Sequence, residues 1–230
     1  MENPNTSEAI INLLASKSTT KYQIYDNTLA CFNQIKEILI SSVEEISSSL
    51  NAQNINVPIE YRERGANEVE IKAAADLLIF VMHTNVFEFP KAHAVMQTGY
   101  IKQDPMRSYS GTISIYNFLA DSFKYNRLND IGYLIGRIFV NKDSHFIVEG
   151  KRQLGFLFND FALQQVDENS LKKIIHSALQ YAIEFDLLIP PFEEVKTVSV
   201  HEMNQFNSSV SLKTGKRLGF NYLADSFSVK

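Results

Sequence analysis

Residues 132–151 read GYLIGRIFVNKDSHFIVEGK. Two runs rich in β-branched and aromatic residues flank the polar stretch NKDS at 141–144. Runs of that composition form strands, and a parallel crossover between them would need a dozen residues or more. The segment therefore predicts an antiparallel hairpin. With NKDS as the whole turn, Val140 stands opposite His145 and Glu149 opposite Gly136. Arg137 then shares a face with Tyr133, Ile135, Phe139, Phe146 and Val148, and Arg152 lies farther along that face.

The same grammar extends outward from the hairpin. Further strands are expected over residues 57–62, 68–72, 76–89, 94–101 and 112–119, with the hairpin arms at 132–140 and 145–156. RERGANE, KQDPMRSYSG and KYNRLND are polar connections between them. Such connections make sequential strands antiparallel neighbours, so a meander is predicted.

Before the strands the apolar spacing is helical. Asn5 with Glu8 marks a helix start, and a short helix is expected over 7–15, then a polar break at SKSTTK. A long helix follows over 20–50. Tyr22, Tyr25, Leu29, Phe32, Leu39, Val43, Ile46 and Leu50 form a heptad-like stripe, widened by Ile24, Cys31, Ile35 and Ile38. Such a helix either lies across a large sheet or forms a dimer seam. After the strands, Leu171, Ile174, Ile175, Ala178, Leu179, Ala182 and Phe185 predict a second helix, stopped by Pro190 and Pro191.

The expected fold class is α+β: a large antiparallel sheet, a long N-terminal helix and a second helix in the C-terminal third. One domain spans 1–230, with a helical arm at 7–50, the sheet at 55–161, a helix at 168–188 and a C-terminal strand segment at 195–230. That last segment is suggested by a repeat. YNFLADSF at 116–123 returns as FNYLADSF at 220–227, and GKRQLGF at 150–156 returns as GKRLGF at 215–220. Each octapeptide reads as an aromatic strand leaving its sheet through Asp-Ser.

Composition excludes several functions. The net charge is −4, with no basic stripe, which argues against a nucleic-acid partner. Cys31 is the only cysteine, so no intrachain disulfide and no thiolate zinc cluster can form. No apolar run has the length of a membrane span, and the N-terminus lacks the basic and apolar regions of a leader. A cytoplasmic protein with no membrane partner is expected.

Few residues stand out for chemistry. FIVEGK at 146–151 resembles one element of the PD-(D/E)xK nuclease motif, in which carboxylates hold Mg²⁺ and a lysine supports the attacking water. The resemblance makes Glu149 and Lys151 the catalytic candidates, and it requires a further carboxylate nearby. His83 and Asn85 place polar groups inside an apolar strand, where they need partners. Arg137 sits among apolar residues, at a rim or against an anion. Lys151, Arg152, Lys216 and Arg217 form two basic pairs that could face an acidic ligand along a common edge. The five histidines have no metal-ligand spacing, and P-loop, GxGxxG and GxSxG signatures are absent, so neither metal nor cofactor is expected.

The leading expectation is a non-catalytic binding or assembly protein. It would self-associate through the long helix and recognise a protein or small acidic ligand through Arg137, Arg152, His83, Asn85, Lys216 and Arg217. A small-ligand, nucleotide-like sensor and a metal-dependent nuclease are the alternatives.

Overall fold

A computed structural model describes residues 6–200 and 203. The strands are β1 (Ile59–Gly65), β2 (Glu68–Ala73), β3 (Asp76–Met82), β4 (Phe87–Glu88), β5 (Tyr109–Leu119), β6 (Tyr133–Asn141) and β7 (Phe146–Gly150). The helices are α1 (Thr6–Leu13), α2 (Thr19–Ala52), α3 (Gly99–Gln103), α4 (Ala120–Lys124), α5 (Leu154–Leu157), α6 (Glu168–Ile183) and α7 (Phe192–Val195). All strand pairs are antiparallel, in the order β1-β2-β3-β5-β6-β7, with β4 also paired to β5. The fold is the predicted α+β meander.

The polar break expected after α1 does not interrupt the helix. Leu14–Ser18 forms a π-helical turn that joins α1 to α2. Ser16 and Thr20 donate their hydroxyls to the carbonyls of Asn12 and Ser16, and Thr19 donates to Leu14. Such back-bonding commonly bends a helix without ending it, and here it accompanies the widened turn.

The 34 residues of α2 span about 51 Å at 1.5 Å per residue. The helix crosses β1, β3, β5 and β6, and α6 packs beside it and against β3. Most of the heptad-like stripe packs within the chain itself. Phe32 and Leu39 are fully buried, and Tyr25, Leu29, Val43 and Ile46 pack against the same core. The widening face of Ile24, Cys31, Ile35 and Ile38 is buried too, because a sheet of this width covers more than a two-residue seam. The uncovered apolar side chains of the N-terminal helix are chiefly Ile10, Ile11, Leu13 and Leu14, beyond the sheet, with Tyr22.

Burial pushes the Cys31 thiol up to about 12 from its ordinary 9.0. The native protein is therefore expected to resist iodoacetamide at neutral pH and to react only when unfolded, a comparison that mass spectrometry reads directly. The unfolded thiol gives up its proton first, so its contribution is complete below about pH 9 and is lost as pH rises toward 12. A Cys31→Ala variant should lack that part of the alkaline decline in denaturation midpoint.

Three expected strands are altered. Residues 94–101 are helical: a 3-10 turn at Ala94–Gln97 leads into α3, and Thr98 caps α3 by accepting the Ile101 N–H. The 76–89 strand splits after Met82: the His83 N–H still donates to the Thr112 carbonyl at 2.9 Å, and Thr84–Val86 then detour before β4. The 145–156 strand is shorter than expected, ending at Gly150 before α5. At the other helix, Asp167 caps α6 by accepting the backbone N–H and the hydroxyl of Ser170. The hydroxyl bond, more than any other interaction, holds the Asp167 carboxyl below its usual range. The first octapeptide copy does leave its strand as expected, since β5 ends at Leu119 and α4 begins at Ala120. The second copy, the GKRLGF segment and His201 lie outside the described residues.

The hairpin register differs from expectation by one residue. Val140 pairs with Phe146 and Arg137 with Glu149, while Gly136 pairs with Gly150. Asn141 remains in the strand, and Ser144 takes a left-handed conformation at φ 57°. The connection is thus a three-residue loop closed by a left-handed residue. A slip of one residue exchanges the two faces. Phe146 and Val148 accordingly join the helix-side core, and Ile147 and Glu149 turn to the opposite face with Arg137 and Phe139.

A bulge in β6 adds a second change. Ile115 pairs with Gly136 and Tyr116 with Leu134, leaving Ile135 as the extra residue. Ile135 enters the helix-side core, and Leu134 comes round to the face of Arg137.

Candidate functional site

The sheet face away from α2 and α6 is only partly covered. Phe89, Val95, Ile101, Phe139, Ile147 and Phe161 form a small second core there. Beside it lies a cleft of about 450 Å³. Its floor is β5 and β6, and its wall is the chain from Phe87 to His93.

The floor follows from alternation along SGTISIY at 110–116. Ile113 and Ile115 point into the helix-side core, while Ser110, Thr112, Ser114 and Tyr116 line the cleft. Successive same-face residues stand about 6.6 Å apart at 3.3 Å per residue, which makes a ladder of four hydroxyls. The Ser110 hydroxyl is buried and has no hydrogen-bond partner among the described residues. Leu134 and Phe139 add apolar surface opposite Tyr116 and Thr112, and Arg137 stands opposite Ser114.

The charged end is a chain of three groups. Arg137 donates through Nη2 to Glu149 Oε2, and His93 Nε2 lies 3.1 Å from Glu149 Oε1. His93 Nδ1 accepts the Val95 N–H at 3.3 Å, so a neutral ring carries its proton on Nε2 and donates it to Glu149. The Phe89 ring lies 4.7 Å from the His93 ring and 5.0 Å from that of Phe139, and the Arg137 guanidinium lies 5.1 Å from the Phe139 centroid. The Arg137 side chain lines the cleft and remains 44% exposed, and the hydrogen bond to Glu149 engages only its Nη2.

At the opposite wall His83 packs edge-on against Phe87 with ring centroids 4.7 Å apart. Its Nδ1 accepts the Asn85 N–H at 2.9 Å, which leaves Nε2–H as the free donor of a neutral ring. Asn85 shapes the excursion through that bond but does not line the cleft.

The structure separates the other candidates. Lys151 and Arg152 border a different concavity of about 220 Å³, with Leu154, the α6 residues Ser177, Gln180 and Tyr181, and the α6 C-cap Glu184. Arg152 bonds Glu184 at 3.0 Å and lies over Tyr181, so it does not share a face with Arg137. The cause is the turn after β7, where Arg152 takes a φ of 48°. Glu149 and Lys151 thus face different hollows, and the Glu149 carboxylate is occupied by Arg137 and His93. Among the described residues no three His, Cys, Asp or Glu side chains stand where they could hold one metal ion. Lys216 and Arg217 lie outside the described residues.

Sequence reasoning missed His93, the Phe87–Phe89 wall and the hydroxyl ladder. The ladder was visible as the period-two S-x-T-x-S-x-Y pattern; His93, 56 residues from Glu149, carried no comparable signal. No described helix is long and apolar enough to cross a membrane. Comparison with protein-family models, with curated proteins and with solved structures found no match.

Proposed function

We propose that this chain is a non-catalytic binding protein whose sheet-face cleft takes a small acidic ligand. The observation that carries the reading is the half-exposed Arg137 guanidinium at one end of an aromatic-walled cleft, with only Nη2 engaged by Glu149. The volume falls in the range of about 300–1,000 Å³ usual for small-molecule pockets. Open donors dominate: Arg137, His83 Nε2–H and the β5 hydroxyls. The buried Ser110 hydroxyl has no hydrogen-bond partner among the described residues, so no histidine or carboxylate activates it.

Calorimetric titration with a set of small organic acids tests this reading. Arg137→Met should weaken the best of them at least tenfold, the effect of about 1.4 kcal/mol expected for a charge-assisted hydrogen bond. The unliganded melting temperature should change little, because exposed ion pairs contribute about 0–1 kcal/mol. Equal affinity of wild type and variant would refute the assignment of Arg137, and no binding by wild type at millimolar acid would refute the cleft.

The nucleotide-like sensor expected as an alternative would use the same cleft, and the probes below separate it. Self-association through the N-terminal helix, as a further proposal, falls to α1, because most of the α2 stripe, Tyr22 excepted, packs against the core of the same chain. Light scattering on an Ile11→Glu variant tests it: a lower mass than wild type supports α1 as the contact, and an unchanged mass removes it.

A further inference from the structure

Resting on the cleft reading above, we infer that the ligand is a planar aromatic monocarboxylate, selected against phosphorylated compounds by Glu149. The walls set the body of the ligand. Phe87, Phe89, Phe139 and Tyr116 present rings, and Leu134 and Pro90 complete an apolar lining. A flat ring offers such walls large contact at little conformational cost.

The charges set the head group. The cleft holds one permanent cation, Arg137, and two carboxylates, Glu88 and Glu149, so its formal charge with neutral histidines is 1 − 2 = −1. His93 and Arg137 both donate to Glu149, which keeps that carboxylate in place as a fixed anion beside the guanidinium. A phosphate monoester, with about two negative charges, meets up to about twice the repulsion that a single carboxylate meets there. The carboxylate is also planar and matches the remaining N–H groups of the guanidinium fork. Ser114, the register partner of Arg137, places a hydroxyl beside that position. His83 Nε2–H is left to meet a polar substituent on the far side of the ring.

Four probes test the inference by calorimetry: 2-naphthoate, 2-naphthyl phosphate, 2-naphthylmethanol and hexanoate. Amide chemical shifts of residues 110–116 and 134–139 report whether each occupies the cleft. Naphthoate should bind at least tenfold tighter than each of the others. Glu149→Gln should narrow the preference for naphthoate over naphthyl phosphate at least threefold, a change that loss of packing alone would not produce. Tighter binding of the phosphate, or equal binding of the alcohol or of hexanoate, overturns the inference and leaves the cleft as a ligand site. Absence of any cleft shift with these probes and with the wider acid set removes the cleft reading itself.

Discussion

Replacing Asn141 with alanine is expected to lower stability by about 3 kcal/mol and to release the β6–β7 loop. The Asn141 side chain is fully buried. Its Oδ1 accepts the N–H groups of Asp143 at 3.0 Å and His145 at 3.1 Å, and its Nδ2 donates to the Tyr100 hydroxyl at 3.0 Å. Tyr100 passes the chain on to Asp143, which also accepts from Arg107 Nε at 2.7 Å. Burial pushes the Tyr100 phenol up to about 12, so it remains a donor across the physiological range. Outside the network, Asn27 of α2 donates to the carbonyls of Asn141 and Lys142. Each group left unpaired costs about 1–3 kcal/mol. Tyr100→Phe, which removes one hydroxyl and spares the loop amides, should cost less than Asn141→Ala. Urea denaturation gives the two costs, and amide exchange at Asp143 and His145 reports the loop. A cost under about 1 kcal/mol for Asn141→Ala would show that the register is held elsewhere. The same loop brings Glu149 opposite Arg137, so the variant should also weaken ligand binding from a distance.

Gly111→Ala is expected to cost about 3 kcal/mol, the upper part of the usual overpacking range. Where α2 crosses β5, a Cβ on Gly111 would lie 2.1 Å from Thr28 Oγ1, 2.8 Å from its Cβ and 2.9 Å from its Cγ2. Thr28 is fully buried and donates its hydroxyl to the Ile24 carbonyl at 2.6 Å, so the side chain has no easy retreat. The helix itself must move. For a chain of this size the loss corresponds to roughly 6–12 °C in melting temperature. Thr28→Gly removes all three opposing atoms and should restore part of the loss in the double variant, although alone it destabilises through helix propensity and lost packing. A Gly111→Ala protein that melts with wild type would mean that α2 does not cross β5 at this separation.

The outline of the fold was legible because its elements are long and their periods differ. The α6 spacing and the antiparallel order of the strands follow directly from apolar pattern and loop length. The register of β6 and β7 was not legible, for a physical reason. Ile138, Phe139 and Val140 are all buried, as are Phe146, Ile147 and Val148. With both faces covered, alternation favours neither of two registers one residue apart. Side-chain bonds of Asn141 and the left-handed Ser144 accompany the observed choice, and these are local events that composition does not display. Over residues 94–101 Val95, Tyr100 and Ile101 suit a strand, but the side-chain caps of His93, Thr98 and Asp104 hold the segment in short helical turns. For the site, Arg137 and His83 were singled out for their unusual company, and both reach the cleft. The face count that places Arg152 beside Arg137 fails at the turn after β7, where Arg152 takes a φ of 48°.

The excursion at His83–Val86 has a consequence for how such a cleft can change. β3 and β4 run along one side of the same neighbour, β5, on either side of this detour. Residues added or removed there would lengthen or shorten one lip of the cavity while every ladder bond on both flanks persists. Under the proposed ligand reading, the scaffold would thus separate the dimension that admits a guest from the dimension that keeps the protein folded, and loop grafting at this position would be the way to widen or narrow the choice of guests.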